Sequence, residues 1–289
     1  MHLAAYRRAL QARKRSPRTI QNYEETLLQL AAHHDGTDVL DLVKSHIEEY
    51  IVHVLTVHAS STAATRFCAL RAFYNWAVAE EIIDVSPMAR LKAPSVTQEP
   101  VPVLSDDELR ALLKACTGKD FEDRRDTAII RLFCEPGSPR VSEMVNLLVD
   151  GLDMKRDQVR VSGKGDKARD VPFGPKTGQA LDRYLLVRRR HKAASNPRLW
   201  LGGKLMPLTA SGIAQMLIRR AEQAGIRHVH PHQLRHTAAH VWHDQGGSEA
   251  DAMALFGWSS PEMPRRYGAS ARTERAHRAA RRTTMADRL

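Results

Sequence analysis

Four short segments in the second half of the chain carry side chains that could act together on a phosphodiester. They are Arg140-Val141-Ser142-Glu143, Gly163-Lys164-Gly165, His232-Gln233-Leu234-Arg235, and Trp258 followed nine residues later by Tyr267. Between them they offer two guanidiniums, an ammonium, an imidazole and a phenol. A phenol oxygen can attack phosphorus and stay bonded to it. Two guanidiniums can fork onto the non-bridging oxygens and offset charge as it builds in the transition state. A lysine on a hairpin tip can protonate the leaving oxygen, and a histidine can assist proton transfer. No metal-binding carboxylate cluster accompanies them, so the set suits attack on a phosphodiester without a metal or cofactor.

Each fragment alone has a plainer reading. Arg140 by itself reads as a helix-terminus arginine. Gly163–Gly165 reads as a hairpin turn, and Lys167 and Arg169 compete with Lys164 for any role at its tip. The string is not a phosphate-binding P-loop, because the Gly-x4-Gly-Lys-Ser/Thr pattern is absent. Tyr267 alone reads as a core tyrosine, like Tyr6, Tyr23, Tyr50, Tyr74 and Tyr184. Six histidines crowd residues 228–243, and His236 and His240 are spaced as on a metal-binding helix. Thr237 stands where a zinc-protease signature needs Glu, so no metal is expected and these histidines read mostly as helix-surface or core residues. Trp76, Trp200 and Trp242 read as core.

The elements that would position these groups follow from periodicity and punctuation. Ser16-Pro17-Arg18-Thr19 starts a helix, with Pro near the first helical position. Ile20, Tyr23, Leu27, Leu30 and Ala31 continue it at helical spacing. A second helix is predicted over residues 40–56. A third begins near Ser61-Thr62, carries Ala64, Phe67, Leu70, Phe73, Tyr74 and Ala77, and fades at Asp84-Val85-Ser86-Pro87. Three prolines at 94, 100 and 102 then forbid regular helix and mark a linker. Ser105 and Glu108 form a capping box that opens an amphipathic helix. Residues 126–134 read as a buried helix. Gln158-Val159-Arg160-Val161-Ser162 alternates as a strand, and Arg169-Asp170-Val171-Pro172-Phe173 returns as its partner. The rest is helical, with breaks at Asn196-Pro197 and Gly202-Gly203. The fold class is mainly α: a helical domain over 1–93, a linker over 94–103, and an α+β domain over 104–289 with a small antiparallel sheet.

Composition sets the class of partner. The chain has 289 residues, enough for two domains; 43% are hydrophobic and 27% charged, which fits packed cores. Lys and Arg outnumber Asp and Glu by 44 to 33, for a net charge of +11, which favours a polyanion, nucleic acid before membrane. Residues 1–95 carry only +1 of this and residues 96–289 the remaining +10. Three cysteines exclude a disulfide framework and suit a reducing compartment. No apolar run approaches the ~20 residues of a membrane span. The first 18 residues hold six bases and no acid, Arg13, Lys14, Arg15 and Arg18 among them. That pattern admits a transit peptide, a solvated helix face or a phosphate-contacting arm.

Taken in order, these segments resemble the tyrosine recombinase (phage integrase) family over nearly the whole chain. Arg140 matches the first catalytic arginine of its R-x-S-E segment, and Glu143 the supporting acid. Lys164, within Gly-Lys-Gly-Asp-Lys-Ala-Arg, matches the lysine on the hairpin between the second and third strands. His232 and Arg235 match the H-x-x-R pair, inside Pro231-His232-Gln233-Leu234-Arg235-His236-Thr237. Trp258 holds the slot taken by His in most members and Trp in some, and Tyr267 matches the nucleophile. Leu70-Arg71-Ala72-Phe73-Tyr74-Asn75-Trp76 looks like the last long helix of the family's core-binding domain.

The resemblance implies a two-domain, C-shaped clamp on duplex DNA and a site-specific recombinase working through a 3′-phosphotyrosyl intermediate, with no cofactor. It implies DNA contacts from Arg13, Lys14, Arg15, Arg18, Arg71, Lys167 and Arg169. It also implies a tetramer of this chain in the synaptic complex, DNA-bending accessory proteins, and a bacterial or phage-infected bacterial cytoplasm. Integration or excision of a phage or mobile element is the leading expectation. A Xer-like chromosome-dimer resolvase is the alternative, and a type IB topoisomerase and a non-catalytic DNA-binding regulator rank below it. The absence of room for an additional N-terminal arm-binding domain suits a resolvase or a simplified integrase. Two departures stand out: Gly137-Ser138-Pro139-Arg140 has one residue more than the family's usual Gly-x-Arg, and the Trp258 indole can donate a hydrogen bond but not exchange a proton.

Overall fold

The computed structural model describes residues 2–96, 102–163, 168–203, 205–264, 267–268, 276–278 and 280–281. The chain divides into two compact units, Met1–Glu99 and Pro100–Leu289. Among the described residues no helix is long and apolar enough to cross a membrane.

The first unit is built from α1 (His2–Ala12), α2 (Pro17–His33), α3 (Lys44–Val57) and α4 (Ser60–Ala79). Ser16 caps α2 as its sequence foretells: its Oγ accepts from the Thr19 amide at 3.1 Å, and Pro17 fills the first helical position. The helices bury Leu27, Leu30, Ile47, Val54, Phe67, Leu70 and Phe73 in one core. Tyr6 and Leu10 of the basic N-terminal segment belong to that core, so α1 is an amphipathic helix with its bases outside. The Tyr6 ring meets Phe73 edge-on at 5.2 Å and Trp76 at 5.0 Å.

The second unit runs α5 (Asp106–Lys114), α6 (Phe121–Phe133), α7 (Val141–Met144), β1 (Leu152–Asp153), β2 (Gln158–Ser162), β3 (Ala168–Pro172), α8 (Pro175–Arg188), α9 (Ala210–Gln223), α10 (Pro231–Asp244) and α11 (Glu249–Phe256). The Ser105–Glu108 box closes in both directions, at 3.2 and 2.8 Å. The three strands form an antiparallel sheet in the order β1-β2-β3, with Val159 opposite Val171. Val159, Val161 and Val171 face the core with Ile129, Leu132, Phe133, Leu181 and Trp200. Strand β1 has no counterpart in the periodicity reading, because two residues are too few to alternate. A separate small cluster joins Ala238, Ala239, Ala252, Phe256, Trp258 and Tyr267 between α10 and α11. Trp242, read as core, is half-buried there, and its Nε1 donates to the Ser248 carbonyl at 3.2 Å.

A buried ionic network ties α6 to α9. Asp126 is fully buried and accepts from Arg125 at 2.8 Å and from Arg220 at 2.8 Å, and Arg220 also reaches Asp123 at 2.8 Å. A charge removed from water this far persists because its lone pairs are filled by charged donors.

Candidate active site

Each functional side chain is placed by a helix end or a strand. Gly137 (φ +83°) turns the chain after α6, where an added Cβ would lie 2.9 Å from the Leu255 carbonyl oxygen. Pro139 and Arg140 then lead into the single turn of α7. Glu143, three residues on, folds back so that its Oε2 accepts from the Arg140 amide at 2.8 Å while its Oε1 accepts from Arg140 Nη1 at 2.9 Å. Arg140 is thus locked to the first turn of α7. Its second guanidinium nitrogen donates to the Gly257 carbonyl at 3.2 Å.

Helix α10 begins at His230, whose Nδ1 accepts from the Gln233 amide at 3.1 Å. Burial, aided by neighbouring His228, lowers the His230 pKa, and a neutral imidazole is what this capping role requires. Pro231 follows at the first helical position, so His232 and Arg235 fall three apart on one face of the first turns. Arg235 is buried and donates to the carbonyls of Ser138 and, at 2.6 Å, Phe256. Its guanidinium lies 5.2 Å from the centre of the Phe256 ring and 5.9 Å from that of Trp258. Burial pushes its pKa down to about 9, with Arg140 and Arg169 acting in the same direction against Glu143. It therefore remains a cation at neutral pH.

Helix α11 ends at Phe256, and Gly257 takes the left-handed conformation (φ +61°, ψ +47°) that reverses the chain. This turn stacks Trp258 on Phe256 at 4.8 Å. Tyr267 stacks on Trp258 at 4.9 Å and 19°. The Tyr267 hydroxyl lies 3.4 Å from His232 Nε2, and the His236 ring is 4.8 Å from the Tyr267 ring. Tyr267 is only 2% exposed, whereas the Arg140 side chain is 44% exposed. The indole Nε1–H of Trp258 is buried with no hydrogen-bond partner among the described residues.

The structure thus brings together Arg140, Glu143, His232, Arg235, Trp258 and Tyr267. Lys164 and Lys167 lie outside the described residues. Arg13, Lys14, Arg15 and Arg18 are exposed on the first unit. Two of the residues expected at DNA make internal contacts. Arg71 donates to the Leu91 carbonyl at 2.5 Å and lies over the Phe67 ring at 4.6 Å, so its charge anchors the segment after α4. Arg169 is turned inward from β3, donating to Glu143 Oε2 at 2.8 Å, the Leu255 carbonyl at 2.8 Å and the Gly137 carbonyl at 3.5 Å. Both look like surface bases in the sequence because charge patterning cannot tell which arginine finds buried carbonyls.

The electrostatics are those of an anion cradle. Burial alone would raise the Glu143 pKa. The hydrogen bond from Arg169 and those from Arg140 outweigh it and hold the carboxyl below its ordinary range. One carboxylate therefore sits among three guanidiniums, leaving an excess of positive charge facing the exposed side of Arg140. His236, packed against the Tyr267 ring, enters the sequence reading only through its metal-like spacing from His240; its spacing four residues after His232 is the signal that would have placed it beside the phenol. Among the described residues no three His, Cys, Asp or Glu side chains converge on a metal-sized site.

Comparison with known proteins gives the lineage. A model of the phage integrase family matches residues 102–274, and one of the phage integrase N-terminal SAM-like domain matches residues 3–84. The tyrosine recombinase XerC of Corynebacterium efficiens is 32% identical over 255 residues, covering 88% of this chain and 81% of the relative. That of Azotobacter vinelandii is 34% identical over 235 residues, covering 78% and 77%. Among solved structures, the Tn1549 transposon integrase in complex with transposon right end DNA matches with a TM-score of 0.79 over 98% of this chain and 99% of that one, at 18% identity. XerH recombinase bound to a palindromic difH substrate matches at 0.76 over 93% and 81%, also at 18% identity. A lambda integrase tetramer bound to a Holliday junction matches at 0.73 over 92% and 76%, at 16% identity. At these identities the structural likeness speaks for the fold, while the family models and the XerC relatives speak for descent. The chain belongs to the phage integrase family and is a tyrosine-type site-specific recombinase.

Proposed function

We propose that Tyr267 attacks a backbone phosphorus of duplex DNA. The Oη–P bond forms as the bond to the 5′ oxygen breaks, leaving a 3′-phosphotyrosyl link and a 5′-hydroxyl. The observation that supports this is the Tyr267 hydroxyl 3.4 Å from His232 Nε2, with its ring stacked on Trp258, beside the Arg235 guanidinium. Arg140 and Arg235 take the non-bridging oxygens and offset the developing charge. His232 receives the phenol proton. Trp258 offers its Nε1–H to the phosphate and keeps the phenol ring in one plane. Lys164 protonates the leaving 5′ oxygen. The covalent link conserves the bond energy, so attack by the 5′-hydroxyl of a partner strand rejoins the DNA without another energy source. Strand exchange between two duplexes calls for four copies of the chain, a state present in the lambda integrase tetramer, and the activity belongs in the cytoplasm with the DNA.

The test is a nicked duplex carrying the site, read on a denaturing gel. Wild type accumulates a covalent adduct; Tyr267→Phe binds the same DNA and forms none. An adduct in the Phe variant would overturn the assignment, and no adduct from wild type would favour a non-catalytic regulator. Relaxation of supercoiled DNA lacking any such site would point to a topoisomerase.

The physiological substrate is the ends of an integrating phage or mobile element. A Xer-type resolution of chromosome dimers is the second reading, favoured by relatives that carry the name XerC. Sequencing the DNA held covalently by the wild type separates them: element junctions support the first, a chromosomal site without an element the second.

A further inference from the structure

A cleft of about 760 Å³ opens between α5, α6 and α8 and shares no residue with the Tyr267 cluster. Seven of its fourteen lining residues are Lys or Arg, and none is Asp or Glu. Arg110 is paired with Asp106 and Asp107. The other six, Lys114, Lys119, Arg124, Arg131, Lys176 and Arg183, make no ion pair among the described residues. In a chain with 33 acidic residues this segregation is costly, because like charges so gathered repel one another.

The helices produce the segregation. Helix α6 sends Asp123 and Asp126 to Arg220 of α9, while Arg124, Thr127 and Arg131, spaced three and four apart, line the cleft. Helix α8 presents Lys176, Ala180 and Arg183 at the same spacing. Glu135, the acid nearest along the chain to Arg131, is occupied by the Gly174 amide and the Thr177 hydroxyl. Arg124 to Arg131 and Lys176 to Arg183 each span two helical turns, roughly 10 Å of rise. That matches the axial rise of about three nucleotides in one DNA strand.

We propose that this cleft is a second nucleic-acid contact that grips a run of backbone phosphates without reading sequence. Gln179 in its wall supplies a neutral amide donor of the kind that accompanies Lys and Arg at phosphates, while the Thr117 and Thr127 hydroxyls are spent on the Lys114 and Cys116 carbonyls. No aromatic side chain lines it, so it lacks the stacking platform a free nucleotide or an unpaired base would use. The chain's own tail is excluded as occupant by charge, since residues after Tyr267 carry six arginines against two acids. The reading does not depend on the roles given to Tyr267 or Arg140.

The test is binding of the full chain to a random-sequence duplex across a salt series. One variant changes Lys114, Lys119, Lys176 and Arg183, all exposed, to Gln. A control changes Lys155, Arg156, Arg189 and Arg190, also exposed and outside the cleft, to Gln, removing the same charge. The cleft variant is expected to lower the slope of log affinity against log salt by about 0.9 for each phosphate it no longer neutralises. The control is expected to move it far less, with thermal melting unchanged in both. Equal slopes for the two variants would overturn the proposal. So would unchanged DNA binding in a cleft variant that instead forfeits the stabilisation of wild type by tripolyphosphate or polyglutamate, which would mark a small-anion or acidic-peptide site.

Discussion

The guanidinium of Arg169 shares one carboxylate with that of Arg140: Nη2 of Arg169 lies 2.8 Å from Glu143 Oε2, and Nη1 of Arg140 lies 2.9 Å from Oε1. Arg169 also holds the Leu255 carbonyl, one helical residue before the turn whose Gly257 carbonyl receives Arg140. It acts through other residues, setting where Arg140 points and how much of the Glu143 charge Arg140 must neutralise. Arg169→Gln is expected to keep DNA affinity near wild type and to slow cleavage about 10–100-fold, matching loss of a charged hydrogen bond worth roughly 1.5–3 kcal/mol. Arg169→Lys should recover part of the rate, since it restores charge but not the fork. The double variant with Arg140→Gln should be no slower than Arg140→Gln alone, because both remove one unit. Additive losses would show that Arg169 does not work through Arg140.

The same carboxylate sets a pH signature. The folded-state pKa of Glu143 is held low by Arg169 and Arg140 against the opposing effect of burial. A depressed acid stabilises the fold fully above its unfolded-state pKa, and the contribution is lost as pH falls through the folded-state value. Glu143→Gln should therefore be less stable than wild type at neutral pH, with the gap narrowing in acid. Melting temperatures of both proteins over an acid series check this; a gap independent of pH would mean that Glu143 acts by packing alone.

Gly257 joins that geometry to the backbone. At φ +61° a side chain is strained by roughly 1–2 kcal/mol. An added Cβ would also lie 3.0 Å from Arg169 Nη1. Gly257→Ala should lower the melting temperature and slow cleavage. Gly246 is the comparison: its φ is +88°, yet a Cβ there meets nothing within 4 Å. Gly246→Ala should lose similar stability and keep its cleavage rate. Equal slowing by both would sever the link between Gly257 and the arginine cradle.

How far the fold could be read in advance follows from the range of each signal. Ser16 and Ser105 announce helix starts because a cap acts within one turn, and both lie where the structure begins α2 and α5. The β2–β3 pairing was legible because Val159, Val161 and Val171 alternate with polar residues. The inward turn of Arg169 was not. Its partners are the carbonyls of Gly137 and Leu255, 32 and 86 residues distant, and backbone oxygens leave no mark on residue types. The Ser138 and Phe256 carbonyls that receive Arg235 were hidden for the same reason.

In the proposed reaction, the lysine between Gly163 and Gly165 carries the remaining chemical step. A 5′ alkoxide is a poor leaving group and needs a proton as its bond to phosphorus breaks. Of the groups in the cluster, Arg140 and Arg235 are assigned to the non-bridging oxygens, and His232 lies within reach of the phenol. Lys164→Ala is therefore expected to cut ordinary DNA about 10²–10⁴-fold more slowly, the usual worth of general acid catalysis. On a substrate with sulfur in place of the bridging 5′ oxygen, the leaving thiolate needs no proton, and wild type and variant should cut at similar rates. Lys167→Ala should behave as wild type on both. If Lys164→Ala stays slow on the thiol substrate, the lysine positions the phosphate instead. If Lys167→Ala shows the rescue, the acid is three residues further along the chain.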